Sequence, residues 1–148
     1  MGSTLFGHDV KIVQVITIAA GAAGATQIDG TAIDMAGYDG VCFIVQFGPI
    51  VAGAVTSIKA QQDVSAAMST AADLLGSGQT VVDTADNTVF YIDVKSPKED
   101  FVRLVVLRAT QNATCSAVAV LYGSRSRPVT HGAGVAGETF VSPAEGTA

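Results

Sequence analysis

Val41-Cys42-Phe43-Ile44-Val45-Gln46-Phe47 is the stretch on which the fold turns. Successive side chains of a strand point to opposite faces, so Val41, Phe43, Val45 and Phe47 share one face while Cys42, Ile44 and Gln46 share the other. Both faces are largely apolar. Such a strand is expected to be covered on both sides, by a second sheet or by a neighbour. A turn signal, Tyr38-Asp39-Gly40, precedes it.

The same period of two runs outward in both directions. Lys11 to Ile18 carries Ile12, Gln14, Ile16 and Ile18 on one face and Lys11, Val13, Val15 and Thr17 on the other, again largely apolar on both. Ala54 to Gln62 has a wet face of Ser57, Lys59 and Gln61, and a short Thr80 to Asp83 follows. In Thr88 to Val94, Phe90, Ile92 and Val94 oppose Tyr91 and Asp93. Phe101 to Arg108 and Thr114 to Tyr122, joined by Ala109-Thr110-Gln111-Asn112-Ala113, predict a hairpin. With a weaker strand near Thr26 to Met35, these make about eight strands punctuated by Gly, Asn, Asp and Pro. No long helical pattern separates them, so the expectation is an all-β single domain, a β-sandwich or jelly roll.

Two segments depart from the alternation. Val64, Ala67, Met68, Ala71 and Leu75 fall at helical spacing, with Asp63 placed as an N-cap and Gly76 just beyond, so residues 63–75 fit either a short helix or an ordered loop. From Arg125 onward Pro128, Gly132, Gly134, Gly137, Pro143 and Gly146 leave no sustained period, which predicts an extended arm. The resulting division is an N-terminal extension at 1–9, a β-sandwich at 10–123 and a C-terminal arm at 124–148. The apolar Val129, Val135, Phe140 and Val141 favour an arm that embraces a neighbour. Arg125, Arg127, Pro128, Val129, Phe140 and Val141 are the partner-binding residues expected of it.

A chain of 148 residues fits one domain and buries roughly two-thirds of its unfolded surface, without need of disulfides. Charged residues reach only 14%, against roughly 25% for an ordinary soluble domain, and a surface so poor in charge is expected to hide against partners. Residues 1–94 carry two basic and nine acidic side chains, residues 95–148 six and four. That polarity suits head-to-tail association of like subunits as well as it suits solvated loops. A net charge of −5, no Trp and one close basic pair, Arg125 and Arg127, argue against nucleic acid. Ile12 to Ala25 is interrupted by Gln14 and Thr17 and falls short of a membrane span, so the expected product is soluble and made in the cytosol.

Residues with catalytic or binding chemistry are few. Cys42 and Cys115 sit in apolar runs, where free Cys behaves as a small hydrophobe, with a cross-strand disulfide as the alternative. Gly132-Ala133-Gly134-Val135-Ala136-Gly137 matches the dinucleotide glycine spacing, but it follows Pro128-Val129-Thr130-His131 rather than a strand and lacks the acidic residue about twenty positions on. His8 and His131 stand alone in polar, glycine-flanked settings and read as surface imidazoles. Asp29, Asp34 and Asp39, and Asp83 with Asp86 and Asn87, are oxygen-rich enough for calcium yet are ordinary turn formers without a complete calcium loop. The sequon Asn112-Ala113-Thr114 matters only in a secreted eukaryotic protein. Tyr38, Tyr91 and Tyr122 alone make a poor sugar platform. The expectation is therefore no enzyme, no cofactor, no metal and no small-molecule substrate.

Several runs together carry a resemblance: Asp39-Gly40-Val41, Ile58-Lys59-Ala60-Gln61-Gln62, Phe90-Tyr91-Ile92-Asp93-Val94, Phe101-Val102-Arg103-Leu104-Val105-Val106, Ala119-Val120-Leu121-Tyr122-Gly123, Arg125-Ser126-Arg127-Pro128-Val129-Thr130-His131 and the ending Val141 to Ala148. From about His8 onward the chain resembles small virion proteins of tailed phages, similar to capsid cement or decoration proteins. That resemblance implies a β-sandwich or jelly roll without catalytic residues, binding the major capsid protein as a small homo-oligomer on the virion surface. The rival expectation is a β-sandwich module of a phage tail or cell surface that binds glycans or protein.

Overall fold

A computed structural model describes residues 5–147; residues 1–4 of the expected N-terminal extension, and residue 148, lie outside the described residues. After a single helical turn, α1 (Phe6–Asp9), come β1 (Lys11–Ile16), β2 (Ile28–Asp29), β3 (Ile33–Asp34), β4 (Gly40–Ile50) and β5 (Val55–Asp63). β6 (Ala72–Asp73), β7 (Gln79–Val81), β8 (Val89–Lys95), β9 (Phe101–Ala109) and β10 (Ala113–Tyr122) complete the chain of elements. Strands hold 43% of the described residues and helix 3%, so the fold is all-β as the alternation predicts.

The strands form two antiparallel sheets. One has the order β1-β10-β4-β8; the other runs β2-β9-β5-β6, with β3 also on β9 and β7 also on β5. Counting the broken edges β2/β3 and β6/β7 once each leaves eight strands, and consecutive strands pass from one sheet to the other except within these broken pieces and from β5 into β6. That order is the jelly roll.

Between the sheets lies one core. Val41, Phe43, Val45 and Phe47 of β4 and Cys115, Ala117, Ala119 and Leu121 of β10 face Ile58 and Ala60 of β5 and Val102, Leu104 and Val106 of β9. Small side chains on β10 stand directly beside the phenylalanines of β4: Ala119 pairs with Phe43 and Cys115 with Phe47. Phe47 meets Phe90 edge-on at 5.7 Å between ring centroids, a favoured aromatic geometry.

Two sequence expectations are corrected here. β9 and β10 do not form a hairpin: they belong to opposite sheets and are joined by an arch at 109–113 with Thr110 at φ +74°. Both edges of β9 are already taken, by β5 and by β2 and β3, so β10 packs against it face to face. Buried Arg108 pins the crossing, its guanidinium donating to the carbonyls of Ala113 and Ala22 at 2.8 Å each and of Thr26 at 2.8 Å. Of the two readings for 63–75, the helix is the wrong one. The Asp63 carboxylate accepts the N–H groups of Ser65 and Thr70, at 3.1 and 2.8 Å, and the Thr70 hydroxyl at 3.0 Å. A short acidic side chain bonding nearby backbone competes with helix formation, and Met68, buried at φ +52°, turns the chain out of the helical path.

Candidate interaction surfaces

The outward faces of the two sheets are built from opposite chemistry. On the four-stranded sheet the cross-strand rows are Ile12-Val120-Cys42-Asp93 and Gln14-Val118-Ile44-Tyr91, followed by Ser116-Gln46-Val89. Val118, Val120, Ile44 and Cys42 are only half-buried, and Val89 and Tyr91 are exposed at 55% and 65%. The one charged side chain in these rows, Asp93, accepts the Tyr122 hydroxyl at 2.7 Å. Burial together with that bond pushes the Tyr122 phenol up to about 12.

On the other sheet the corresponding face is a polar chain of contacts. Arg103 reaches Asp29 of β2 at 3.4 Å and donates to Gln61 of β5 at 2.9 Å; Gln61 in turn donates to Asp73 of β6 at 2.7 Å, and Lys59 reaches the same carboxylate at 2.9 Å. Hydrogen bonds from Lys59 and then Gln61 hold the Asp73 carboxyl below its usual range. Val105 on this face is fully buried, flanked by Lys59 and Asp29, as expected where long basic stems lie along a sheet.

Sheet edges present unpaired backbone groups that natural proteins usually cover. β9 is covered by β2 and β3, and β5 by β6 and β7. The free side of β1 is met by Thr31, whose N–H donates to the Val15 carbonyl at 3.1 Å, by Gly132, whose N–H donates to the Ile12 carbonyl at 2.9 Å, and by His131 Nδ1, which accepts the Ile12 N–H at 3.0 Å. β8 is different. Phe47 N–H donates to the Thr88 carbonyl, which sets the phase of the β4–β8 ladder; the backbone groups of Val89, Tyr91, Asp93 and Lys95 therefore point away from β4. Beside them lies a cleft of about 700 Å³, walled on its far side by Leu74, Leu75 and Gly76. Gln79 Nε2 spans it to donate to the Tyr91 carbonyl at 2.9 Å.

The arm begins on its own chain. Arg125 N–H donates to the Gly37 carbonyl and its guanidinium lies 3.8 Å from Asp39; Arg127 lies 3.4 Å from Asp9. Val129 N–H donates to the His8 carbonyl at 3.0 Å, while Pro128 between them is exposed. Asp9, buried at the end of α1, also contacts His8 Nδ1 at 2.8 Å and accepts the Leu5 N–H. The His8 bond above all, with Leu5 and Arg127, holds the Asp9 carboxyl below its ordinary value against the opposing effect of burial. Further along, Phe140 and Val141 are 67% and 79% exposed. The expected partner-binding residues thus divide: Arg125, Arg127 and Val129 are engaged within the chain, Pro128 lies exposed among them, and Phe140, which lines a cavity with Phe6 and Ile12, and Val141 are largely exposed.

Residues weighed for chemistry are scattered. His131 bridges Ile12 N–H and the Gly7 carbonyl, and Gly132 to Gly137 form turns of the arm with neither a strand before nor a helix after. Asp83 and Asp86 accept the N–H groups of Gly53 and Ile50, and Asp34 that of Ala36. Cys115 faces the core and Cys42 the opposite side of the same sheet, so the two cannot pair, and burial pushes both thiols up. Among the described residues no three His, Cys, Asp or Glu side chains gather as a metal site, and no helix is long and apolar enough to cross a membrane.

The class that fold and surfaces define is a jelly-roll β-sandwich with one apolar outward face and one long strand, β8, that lies at a sheet edge without a neighbouring strand. Compared with protein-family models and with curated proteins, the chain matches none.

Proposed function

We propose that this chain is a non-enzymatic structural subunit that decorates or cements a larger protein shell as a small homo-oligomer, the role of a capsid-decorating protein of a tailed bacteriophage. Jelly rolls serve viral coats, lectins and cupins alike, so the fold does not choose among them. The observation that carries the proposal is the apolar outward face of the four-stranded sheet, with Ile12, Cys42, Ile44, Val118 and Val120 left half-buried in the single chain. Contiguous apolar surface of this kind marks an interaction site. The major capsid protein and further copies of the chain are its proposed partners, on the virion surface.

The test is size-exclusion chromatography with light scattering, followed by co-sedimentation with expanded phage heads. A defined oligomer that pellets with the heads is expected; a strict monomer that leaves them bare overturns the proposal. One observation favours the rival glycan-binding role, the exposed Tyr91 ring beside the cleft of about 700 Å³. Binding on a glycan array that disappears in Tyr91→Ala would establish it.

A further inference from the structure

We infer that the open β8 edge is a socket for the arm of a second copy, with Thr139-Phe140-Val141-Ser142 entering as an added strand. This rests on the self-associating role proposed above and assigns its contact. Addition of an extended segment to a sheet edge is a general recognition mode, in which main-chain hydrogen bonds bind and alternate side chains select.

β8 offers a ladder ready for such a segment. Val89, Tyr91, Asp93 and Lys95 turn their backbone groups toward the cleft, and Gln79 occupies only the Tyr91 carbonyl. The cleft is continuous, through Leu74, Leu75, Val94 and Lys95, with a groove of about 330 Å³ lined in part by Gln62 and Lys98. Gln62 Oε1, beneath the groove wall, is buried without a hydrogen-bond partner among the described residues.

Charge and shape name the occupant. Lys95 and Lys98 at the groove are exposed and in no ion pair among the described residues, whereas the carboxylates beside them, Asp73 and Asp93, are held by Lys59 and by the Tyr122 hydroxyl. Residues 128–148 hold Glu138 and Glu145 and not one Lys or Arg. The segment between those acids belongs to no strand or helix of its own chain, bends at Val141 and Ser142, with Ser142 at φ +35°, and so straightens on entering; it carries the exposed Phe140 and Val141, which match the apolar Val89, Tyr91 and Leu75 of the socket. Pro143 lacks an N–H and closes the strand after Ser142.

The docking joins two chains, not one. Gly132 and His131 tie the arm to β1, and Phe140 lines a cavity with Phe6 and Ile12 on that side, whereas the socket lies along β8 at the opposite edge of the same sheet. Arm and socket on opposite edges make a head-to-tail contact, which closes into a ring or continues as a filament.

Two full-length variants test it. Phe140→Asp/Val141→Asp removes the plug at exposed positions. Tyr91→Pro removes an outward N–H and leaves the β4 ladder intact, since proline is tolerated on an edge strand with that N–H free; Leu75→Asp, on the far wall, replaces it if Tyr91→Pro melts early. Each variant alone is expected to associate at least tenfold more weakly by sedimentation velocity. Mixed one to one, they are expected to form a heterodimer and nothing larger, because one retains the socket and the other the arm. Variants that assemble like the unaltered chain overturn the docking, and so do variants that fall apart yet do not pair on mixing. Wild-type-like variants that still coat heads defeat only the docking; an unaltered chain that is monomeric and leaves heads bare defeats the decorating role as well.

Discussion

The two outward faces of this sandwich start from the same rule and end differently. Each long strand alternates, and each sheet turns its larger apolar side chains inward, yet one outer face is laced by Asp29, Arg103, Gln61, Asp73 and Lys59 while the other presents Ile12, Cys42, Ile44, Val118 and Val120. A face that satisfies its own polar groups across four strands is finished in the single chain. A face with valine and isoleucine at the same positions is left for a partner, because apolar area gains free energy only when water is removed from it. The long strands repeat the lesson: the outer sides of β1, β5 and β9 are covered by short strands, a loop or the arm, while β8 faces no strand there and only its Tyr91 carbonyl is taken, by Gln79.

The strongest way to break this contrast is to charge the apolar face. Ile44→Asp with Val118→Asp, adjacent in the rows, is expected to weaken head binding and self-association about 30-fold or more, the loss of a central interface anchor. Far-ultraviolet circular dichroism is expected to stay unchanged, because both side chains point away from the core.

On the polar side, the largest effect falls at Asp63, where β5 ends. Burial raises its carboxyl, but bonds from Ser65, Thr70 and Val64 outweigh it and hold the value below the usual range. A folded value below the unfolded one of about 4 means that the stabilisation is present above about pH 4 and lost as pH falls through the folded value. Asp63→Asn is therefore expected to be less stable than the parent near pH 7, with the gap narrowing in acid, as urea titrations across pH will register.

Arg103→Ala cuts two links of the polar network and is expected to cost about 1 kcal/mol in urea unfolding, with head binding unaltered. Lys59→Ala, which removes one exposed pair with Asp73, is expected to shift stability by less than about 0.5 kcal/mol. If either change released the protein from heads, the polar face would be the adhesive one and the contrast would invert.

Much of this was legible before any coordinates. Val41 to Phe47, apolar on both faces, announces a strand covered twice, and the wet Ser57, Lys59 and Gln61 mark the finished side. The β8 socket was not legible: Thr88 to Val94 reads as one more alternating strand, and nothing in its letters says that it lies at an edge. The lost hairpin has the same origin. Phe101 to Arg108 and Thr114 to Tyr122 are close in sequence and both alternate, but alternation does not distinguish a neighbour along the hydrogen bonds from one across the core.

By itself, then, the sequence determined strands, their inward faces and the lack of periodicity after Arg125, because a side-chain period of two and the conformational limits of Gly and Pro act within a few residues. Tertiary structure alone decided the strand order, the loop around Asp63, the clamp of Arg127 and Val129 onto the first residues, and the edge left open at β8. Those depend on contacts between residues far apart in the chain, where hydrogen-bonding groups and apolar area are satisfied by whichever partner the whole fold brings near.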